Sequence, residues 1–404
     1  MNFLIIGSGA TGEAPTWAEY LATSDKFEKI YIHSTTPYIS TCMNSKIEMI
    51  SGDQINDRHY DYYWGMDSKE ALYPSIKINC DNVIGNNKTV ATLEVDKWIF
   101  KETCYDRKIP TPSVLMGGEP LDLKTKLLNV DEWFTYPIVI KPYHEMNGVR
   151  SDVYNNQTDA INFLNKMENE FPFDKLFVEE YIHDALHLEI CFVADGEGVY
   201  SLGTSAEYKN WLGNPDKFIG GWVSYATSPC SLTTKEHEDF LVDCATKLFE
   251  TGIPKGIYCI QGLATADKMY LLELNARPGA GDMVTLWNNT DAFDFISSIH
   301  NGSFKECPLD ILGSSSGVHY GMFTILNKQN QSALINITSL VPDQDKVIVA
   351  PYNILYTEGY YYSAPIISPI MVGIIGTSEK EVIEIARERI PIMFNRDAFN
   401  YDLD

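Results

Sequence analysis

Short apolar runs of four or five residues alternate along this chain with segments whose apolar positions recur three and four residues apart, the pattern of strands interleaved with amphipathic helices. Phe3-Leu4-Ile5-Ile6 is the first such run and suits a parallel strand covered on both faces. Gly7-Ser8-Gly9-Ala10-Thr11-Gly12 turns the chain, and Ala14, Trp17, Ala18 and Leu21 then fall at helical spacing. Lys29-Ile30-Tyr31-Ile32 supplies a second strand and completes a βαβ unit of a doubly wound sheet. Residues 88–107 read as one amphipathic helix with Val90, Leu93, Lys97, Phe100 and Cys104 on a single face, ended by Ile109-Pro110-Thr111-Pro112. Residues 113–310 alternate strands and helices, Gly313-Ser314-Ser315-Ser316-Gly317 reads as a linker, and a last unit of strands and one helix follows. Ser378 and Glu381 form a capping box ahead of Val382, Ile383, Ile385 and Ala386, and Pro391 is expected to stop or kink that helix.

The 404 residues are 45% hydrophobic and 21% charged, which excludes a disordered or low-complexity chain and leaves room for more than one core. The formal net charge of -24 argues against a nucleic-acid polymer or an anionic membrane as partner. A small phosphorylated ligand is compatible with it, because a few local amides and cations can hold one inside an acidic protein. No run reaches the ~18 apolar residues of a spanning helix, and MNFLIIGSG lacks a basic region followed by a long apolar stretch, so a cytoplasmic protein without signal peptide is expected. The eight cysteines are scattered without a CxxC pair and read as free thiols of a reducing compartment.

Gly7, Gly9 and Gly12 fit GxGxxG, a turn in which backbone N–H groups and a helix N-terminus can meet an anion. A dinucleotide site would also want an acid at the end of the second strand, where this chain has His33-Ser34. The turn therefore reads as a phosphate site, with a nicotinamide-dependent oxidoreductase and a purely structural turn as alternatives. Farther on, Tyr270-Leu271-Leu272-Glu273-Leu274-Asn275-Ala276-Arg277 reads as a strand. Its period of two buries Leu272, Leu274 and Ala276 and puts Glu273, Asn275 and Arg277 together on the other face. A carboxylate and an amide oxygen two residues apart suit Mg²⁺ (or Mn²⁺) bridging nucleotide phosphates, and Arg277 beside them would neutralise a transferring phosphoryl group. The alternative is a polar sheet face turned to water; the Pro278-Gly279-Ala280-Gly281-Asp282 loop that follows favours a site.

Ile138-Val139-Ile140 delivers Lys141, a cation at the end of an apolar run that is costly unless it meets an anion. The loop from His144 to Arg150 could fold over phosphates, with Arg150 as its cation. Leu176-Phe177-Val178 opens into Glu179, Glu180, Tyr181 and Ile182, whose backbone groups could pair with an adenine edge. Leu188, Ile190 and Phe192 alternate, so His187 and Glu189 point to the opposite side, where they suit a ribose. His183 and His187 read as a loop pair, since no third residue at convincing spacing completes a zinc site. Lys97 is either a snorkelling lysine or a second phosphate lysine.

These pieces, in this order, resemble an ATP-grasp ligase, and within that group phosphoribosylamine–glycine ligase, over nearly the whole chain. IIGSG with EKIYI is similar to that family's first domain, VATLEVDKWIFKETCYDRKIPTP to the helix whose lysine reaches ATP, FVEEYI to its hinge, and LLELNARPG to its metal strand. EYKN followed by GGWVSYATSP resembles its substrate-side segment, and VGIIGTSEKEVIEIARERI its last domain. The resemblance implies an α/β and α+β multi-domain protein: a doubly wound pre-ATP-grasp domain over 1–88, a two-lobed ATP-grasp domain over 89–312 with a mobile lid at about 113–176, and a small C-terminal domain over 318–404. It implies ATP and Mg²⁺, with Glu273 and Asn275 on the metal, Lys97, Lys141 and Arg150 on phosphates, Glu179, Glu180, Tyr181 and Ile182 around adenine, and His187 or Glu189 at the ribose. Arg277 and Lys141 would act at the reacting phosphoryl group, and Gly7, Gly9, Gly12, Lys209, Gly220, Gly221, Tyr225, Arg277 and Gly279 would line the substrate side. The implied activity joins a small carboxylate to a small amine through an acyl phosphate, as in purine biosynthesis, by a monomer or homodimer; the alternatives are a ligase of the same type for a different amino acid and amine or nucleotide, and an ATP-binding protein that keeps the fold without catalysis. The chain departs from the family in its phosphate loop, HEMNGVRS, in the glycine turn, and in Pro-Gly-Ala-Gly-Asp after the metal strand; these touch the amine and acid substrates more than the nucleotide.

Overall fold

The computed structural model describes residues 1–7, 13–35, 44–85, 87–130, 134–144, 151–208, 225–228, 232–279, 290–306, 319–327, 331–337, 347–349, 354–357, 360–363 and 369–401. The expected βαβ unit opens a five-stranded parallel sheet, in spatial order Ile47–Met49, Lys29–Ser34, Asn2–Gly7, Tyr60–Gly65, Cys80–Gly85. The first strand therefore lies in the middle, and the chain winds out first to one side and then to the other. Its uninterrupted apolar run is explained by cover on both faces: Phe3 and Ile5 join Trp17 and Trp64 in one core, while Leu4 and Ile6 join Ile55, Tyr60 and Tyr63 in another.

A second sheet is antiparallel and small, in the order Val114–Gly118, Leu176–Glu180, Ile138–Pro142, Asp152–Tyr154. Helices Pro120–Leu128 and Gln157–Glu170 cover one of its faces, where Leu123, Leu127, Leu164 and Met167 meet Ile138, Ile140, Leu176 and Val178. Strand alternation turns Lys141, Phe177 and Glu179 to the opposite face.

The largest sheet among the described residues has nine strands. It runs Met269–Asn275, Lys255–Ala264, Leu186–Asp195, Val199–Tyr208, Tyr225–Ser228, His319–Asn327, Pro369–Gly376, Val347–Val349, with Phe399–Asn400 also paired to His319–Asn327. Tyr225–Ser228 and His319–Asn327, which pair in this sheet, lie on either side in sequence of 313–317, where the sequence suggests a linker; 313–317 lie outside the described residues. Leu188, Ile190, Phe192, Ile260 and Leu274 pack against helix Lys235–Leu248. On the other face Cys191, Val193, Ile257 and Cys259 meet Trp17 and helix Ala292–Asn301, which joins this sheet to the parallel one. Among the described residues no helix is long and apolar enough to cross a membrane.

Three local expectations need correcting. Residues 88–107 form two helices, Lys88–Val95 and Lys97–Asp106, because Asp96 leaves helical geometry (φ -102°, ψ 93°) and caps the second through Ile99 N–H. Lys97 is thus the first residue of a new helix rather than part of one continuous face. In the Met269–Asn275 strand a bulge places Leu271 opposite Gly262 and Glu273 opposite Gln261. Leu271 is fully buried in consequence, and Leu272, expected in the core, is only half-buried. Helix Glu379–Met393 runs past Pro391, whose missing N–H falls in the last turn; Phe394 N–H still reaches Ile390 O at 2.8 Å.

Candidate functional site

Register across three neighbouring strands builds the first part of the site. Glu189 stands opposite Gln261, and Gln261 opposite Glu273, so a carboxylate, an amide and a carboxylate lie abreast on one face. Gln261 Nε2 donates to Glu189 Oε2 at 3.0 Å. Asn275 follows on the same face opposite Cys259, and Glu273 and Asn275 are both half-buried, with Leu274 and Ala276 buried behind them. Lys97 Nζ comes within 3.7 Å of Glu273 Oε2, and the two side chains are 25% and 40% exposed. Toward the parallel sheet this face closes: Gly279 N–H donates to Cys259 Sγ at 3.1 Å, and Gly279 O accepts from Trp17 Nε1 at 3.3 Å. Arg277 is half-buried in the same stretch.

The second part comes from the small antiparallel sheet. Glu179 is 1% exposed and lies between two lysines: Lys141 Nζ is 2.7 Å from Oε2, and Lys101 Nζ contacts Oε1. Lys101 stands one turn after Lys97 on helix Lys97–Asp106 and also donates to Thr111 Oγ1 and, at 3.3 Å, to Pro112 O. Burial pulls the Lys101 ammonium down to about 8 despite the neighbouring carboxylate, and Lys141 pulls in the same direction. For Glu179 burial acts upward but is outweighed by Lys141 and Lys101, which leave the carboxyl below its ordinary value. The two parts meet at Lys97, whose backbone N–H donates to Tyr143 O at 2.7 Å just beyond Lys141, while the Trp98 and Tyr143 rings stack at 4.5 Å.

The other expected residues divide into three groups. Glu180 clamps the segment before the small sheet: its Oε1 accepts from Ser113 N–H at 2.7 Å and its own N–H donates to Ser113 O at 3.0 Å. Tyr181 is 37% exposed and meets His183 edge to face at 4.9 Å, Ile182 is half-buried, and His187 is half-buried with Leu263 and Glu207 as its strand partners. Gly7 ends the first strand, where a Cβ would stand 3.2 Å from those of Ala14 and Met66, so close packing favours glycine there. Tyr225 begins a strand between Tyr208 and Phe323. Gly9, Gly12, Arg150, Lys209, Gly220 and Gly221 lie outside the described residues. Two residues of the constellation escape sequence reasoning, Lys101 and Gln261; the only local sign of Lys101 is its position one helical turn beyond Lys97.

Among the described residues no three or more His, Cys, Asp or Glu side chains come close enough to hold a metal by themselves. Mg²⁺ takes one or two protein carboxylates and completes its shell with phosphates and water. The oxygen donors at 273 and 275, half-buried on one face, match that requirement.

The structure aligns with that of phosphoribosylamine–glycine ligase from Thermotoga maritima over 100% of this chain and 98% of the other, with a TM-score of 0.69 at 15% identity. The chain has the ATP-grasp fold. The L-amino acid ligase of Bacillus licheniformis matches over 99% of this chain and 98% of its own, with a TM-score of 0.64 at 14% identity. The biotin carboxylase domain of the Hydrogenobacter thermophilus 2-oxoglutarate carboxylase, solved with MgADP and bicarbonate, covers 97% of this ATP-grasp chain and 90% of its own, with a TM-score of 0.69 at 15% identity. In sequence, the carbamoyl phosphate synthase large chain of Sulfurisphaera tokodaii is 25% identical over 142 residues, which are 35% of this chain and 13% of that protein. The chain thus spans about an eighth of the length of that curated relative. No protein-family model matches the chain.

Proposed function

We propose that this protein is an ATP-dependent ligase that joins a small carboxylate to an amine, releasing ADP and phosphate. The observation that carries the reading is the row of Glu189, Gln261 and Glu273 with Asn275 beyond it, closed by Lys97 at 3.7 Å from Glu273. Oxygen donors and a cation side by side are what a metal-bound polyphosphate requires. Direct attack of an amine on a carboxylate is slow because oxide is a poor leaving group; transfer of the γ-phosphoryl group to the carboxylate gives an acyl phosphate with a good one. The chain's part is positioning and charge neutralisation.

In this reading Glu273 and Asn275 would hold Mg²⁺, which would supply charge neutralisation to the nucleotide phosphates. Lys97, Lys141 and Arg150 hold phosphate oxygens, and Arg277 steadies the acyl phosphate. The stretch Glu179–Ile182 frames adenine through its backbone, with His187 or Glu189 at the ribose. Gly7, Gly9, Gly12, Lys209, Gly220, Gly221, Tyr225 and Gly279 belong to the substrate side. The lobe at about 113–176, within an ATP-grasp domain over 89–312, acts as the lid that keeps water from the acyl phosphate; a pre-ATP-grasp domain over 1–88 precedes it and a C-terminal unit over 318–404 follows.

Glycine with phosphoribosylamine is the first substrate pair to test, in keeping with the resemblance; a different amino acid or amine is the second, because the chain departs from that family where these substrates sit. A phosphate-release screen of amino acids against amines tests the reading. It should show ADP formed only when acid and amine are both present, and Glu273→Gln should abolish turnover in a folded protein. Full activity of Glu273→Gln would overturn the metal assignment, and no ADP from any pair, despite bound Mg-ATP, would overturn the ligase assignment.

A further inference from the structure

We propose that Lys101 is a positioning residue: it keeps the buried Glu179 carboxylate paired when Lys141 turns from it to the phosphates of a bound nucleotide. This rests on the ligase reading, in which Lys141 reaches ATP.

The charge count is the starting point. Lys101, Lys141 and Glu179 are 5%, 8% and 1% exposed, so two ammonium groups share one carboxylate out of water. A single lysine would neutralise Glu179; the second leaves a surplus positive charge, which is costly unless an anion arrives. The hydrogen-bond inventory shows which lysine can leave. An ammonium has three donors. Lys101 donates to Thr111 Oγ1 and Pro112 O, in the segment that follows its helix, and its ammonium lies against Glu179 Oε1 as an ion pair. Lys141 pairs with Glu179 alone among the described residues. Lys101 is therefore tethered and Lys141 has donors to give. Were Lys141 to leave without Lys101 present, Glu179 would be stranded as a buried unpaired charge, and the cost would be subtracted from nucleotide affinity.

The protonation of Lys101 gives a second readout. The ionisable groups facing it are Glu179 and Lys141 from the small sheet and Cys104 from its own helix, whose thiol burial pushes up to about 12 and so keeps neutral. With Lys101 titrating at about 8, its charge is lost on raising the pH through that value. Nucleotide binding that needs the charged form then weakens as the proton departs.

Calorimetric titration of the full chain with Mg-ATP and, separately, with adenosine tests this. Lys101→Met should weaken Mg-ATP by about 30-fold or more while adenosine changes by less than about three-fold. Lys101→Arg, which keeps the charge, should stay near wild type. Lys101→Met combined with Glu179→Gln should regain most of the lost affinity, because no carboxylate is left to strand. Wild-type Mg-ATP affinity should fall from pH 7.5 to 9, by about ten-fold per unit at the upper end, and that of Lys101→Arg should not. Equal losses for ATP and adenosine, no loss in Lys101→Met, or no recovery in the double variant would overturn the proposal. Should Lys101→Met fail to fold, the pH series of wild type and Lys101→Arg decides, and a flat wild-type profile overturns it. Wild-type protein that binds no Mg-ATP at millimolar concentration would instead remove the ligase reading itself.

Discussion

Replacing Glu179 with Gln probes the buried charge cluster directly. Glutamine keeps the shape, so no cavity opens, but two ammonium groups lose their counter-ion in a region where none of the three side chains is more than a tenth exposed. Breaking a buried ion pair by removing one partner costs about 3–5 kcal/mol. Lys101 can limit its share by shedding a proton: with its ionisation at about 8, neutralisation at pH 7 costs only about 1 kcal/mol, and less once Glu179 is gone. The low end, about 3 kcal/mol, is therefore the expectation at pH 7. The pH dependence has a definite sign on each side. Glu179 lies below its ordinary 4.5, so its contribution is present above that pH and is lost as the pH falls through its folded-state value. Lys101 lies below its ordinary 10.5, so the unfolded chain binds more protons between about 8 and 10.5 and wild-type stability rises with pH there. The deficit of Glu179→Gln should be greatest between pH 5 and 8 and shrink in acid, where wild type also loses the carboxylate charge. It should shrink again in alkali, where Lys101 is neutral in both proteins. A chain of several cores has no single unfolding free energy, so local hydrogen exchange is the suitable assay. Amides of Ile138–Pro142 and Leu176–Glu180 should exchange about 100-fold faster in the variant at pH 7, and those of Lys235–Leu248, on a different core, should be unchanged. An increase below about five-fold at pH 7 would refute the reasoning.

Other consequences are local. Leu271→Ala should cost about 2–4 kcal/mol and Leu272→Ala under about 1 in the local opening free energy of the Lys255–Ala264 and Met269–Asn275 amides by hydrogen exchange, because the bulge turns the first into the core and the second out of it; similar losses would place the bulge elsewhere. Gly85→Ala should destabilise by about 2–4 kcal/mol, since φ is +68° and a Cβ would run into the Gly65 carbonyl oxygen. Asp96→Ala removes the cap on helix Lys97–Asp106 and the 3.1 Å pairing with His144, and should cost about 1–2 kcal/mol in the local opening free energy of that helix by hydrogen exchange; Asp96→Asn, which still caps, should recover most of it.

The parallel sheet is legible in the chain because Leu4-Ile5-Ile6 contains no polar interruption, and only a strand covered on both faces tolerates that. The bulge is not legible. Leu271 and Leu272 are the same residue type, and nothing along the strand says which of two adjacent leucines faces the core; that is decided by pairing with Gly262 on the neighbouring strand. The break at Asp96 lies between these cases. Asn87 and Asp96 are both good caps, and two caps nine residues apart divide one helical phase into two helices that keep nearly the same apolar face. Apolar periodicity therefore runs through the break unaltered, and only the capping residue records it.

The same reasoning separates the two lysines that share Glu179. Lys141 ends an apolar run, so its burial can be inferred from its neighbours in sequence, and with it the need for an anion. Lys101 lies between Phe100 and Glu102 on a helix, where a lysine normally reaches water. What buries it is contributed by the 176–180 and 138–142 strands, which reach it only through the antiparallel pairing that turns Lys141 and Glu179 to one side. An isolated buried Lys–Glu pair would suffice to hold the helix to that sheet. A second lysine adds no contact the first could not make and brings a surplus charge that burial disfavours. Its presence is understandable in a cluster that parts with one cation, as proposed for nucleotide binding.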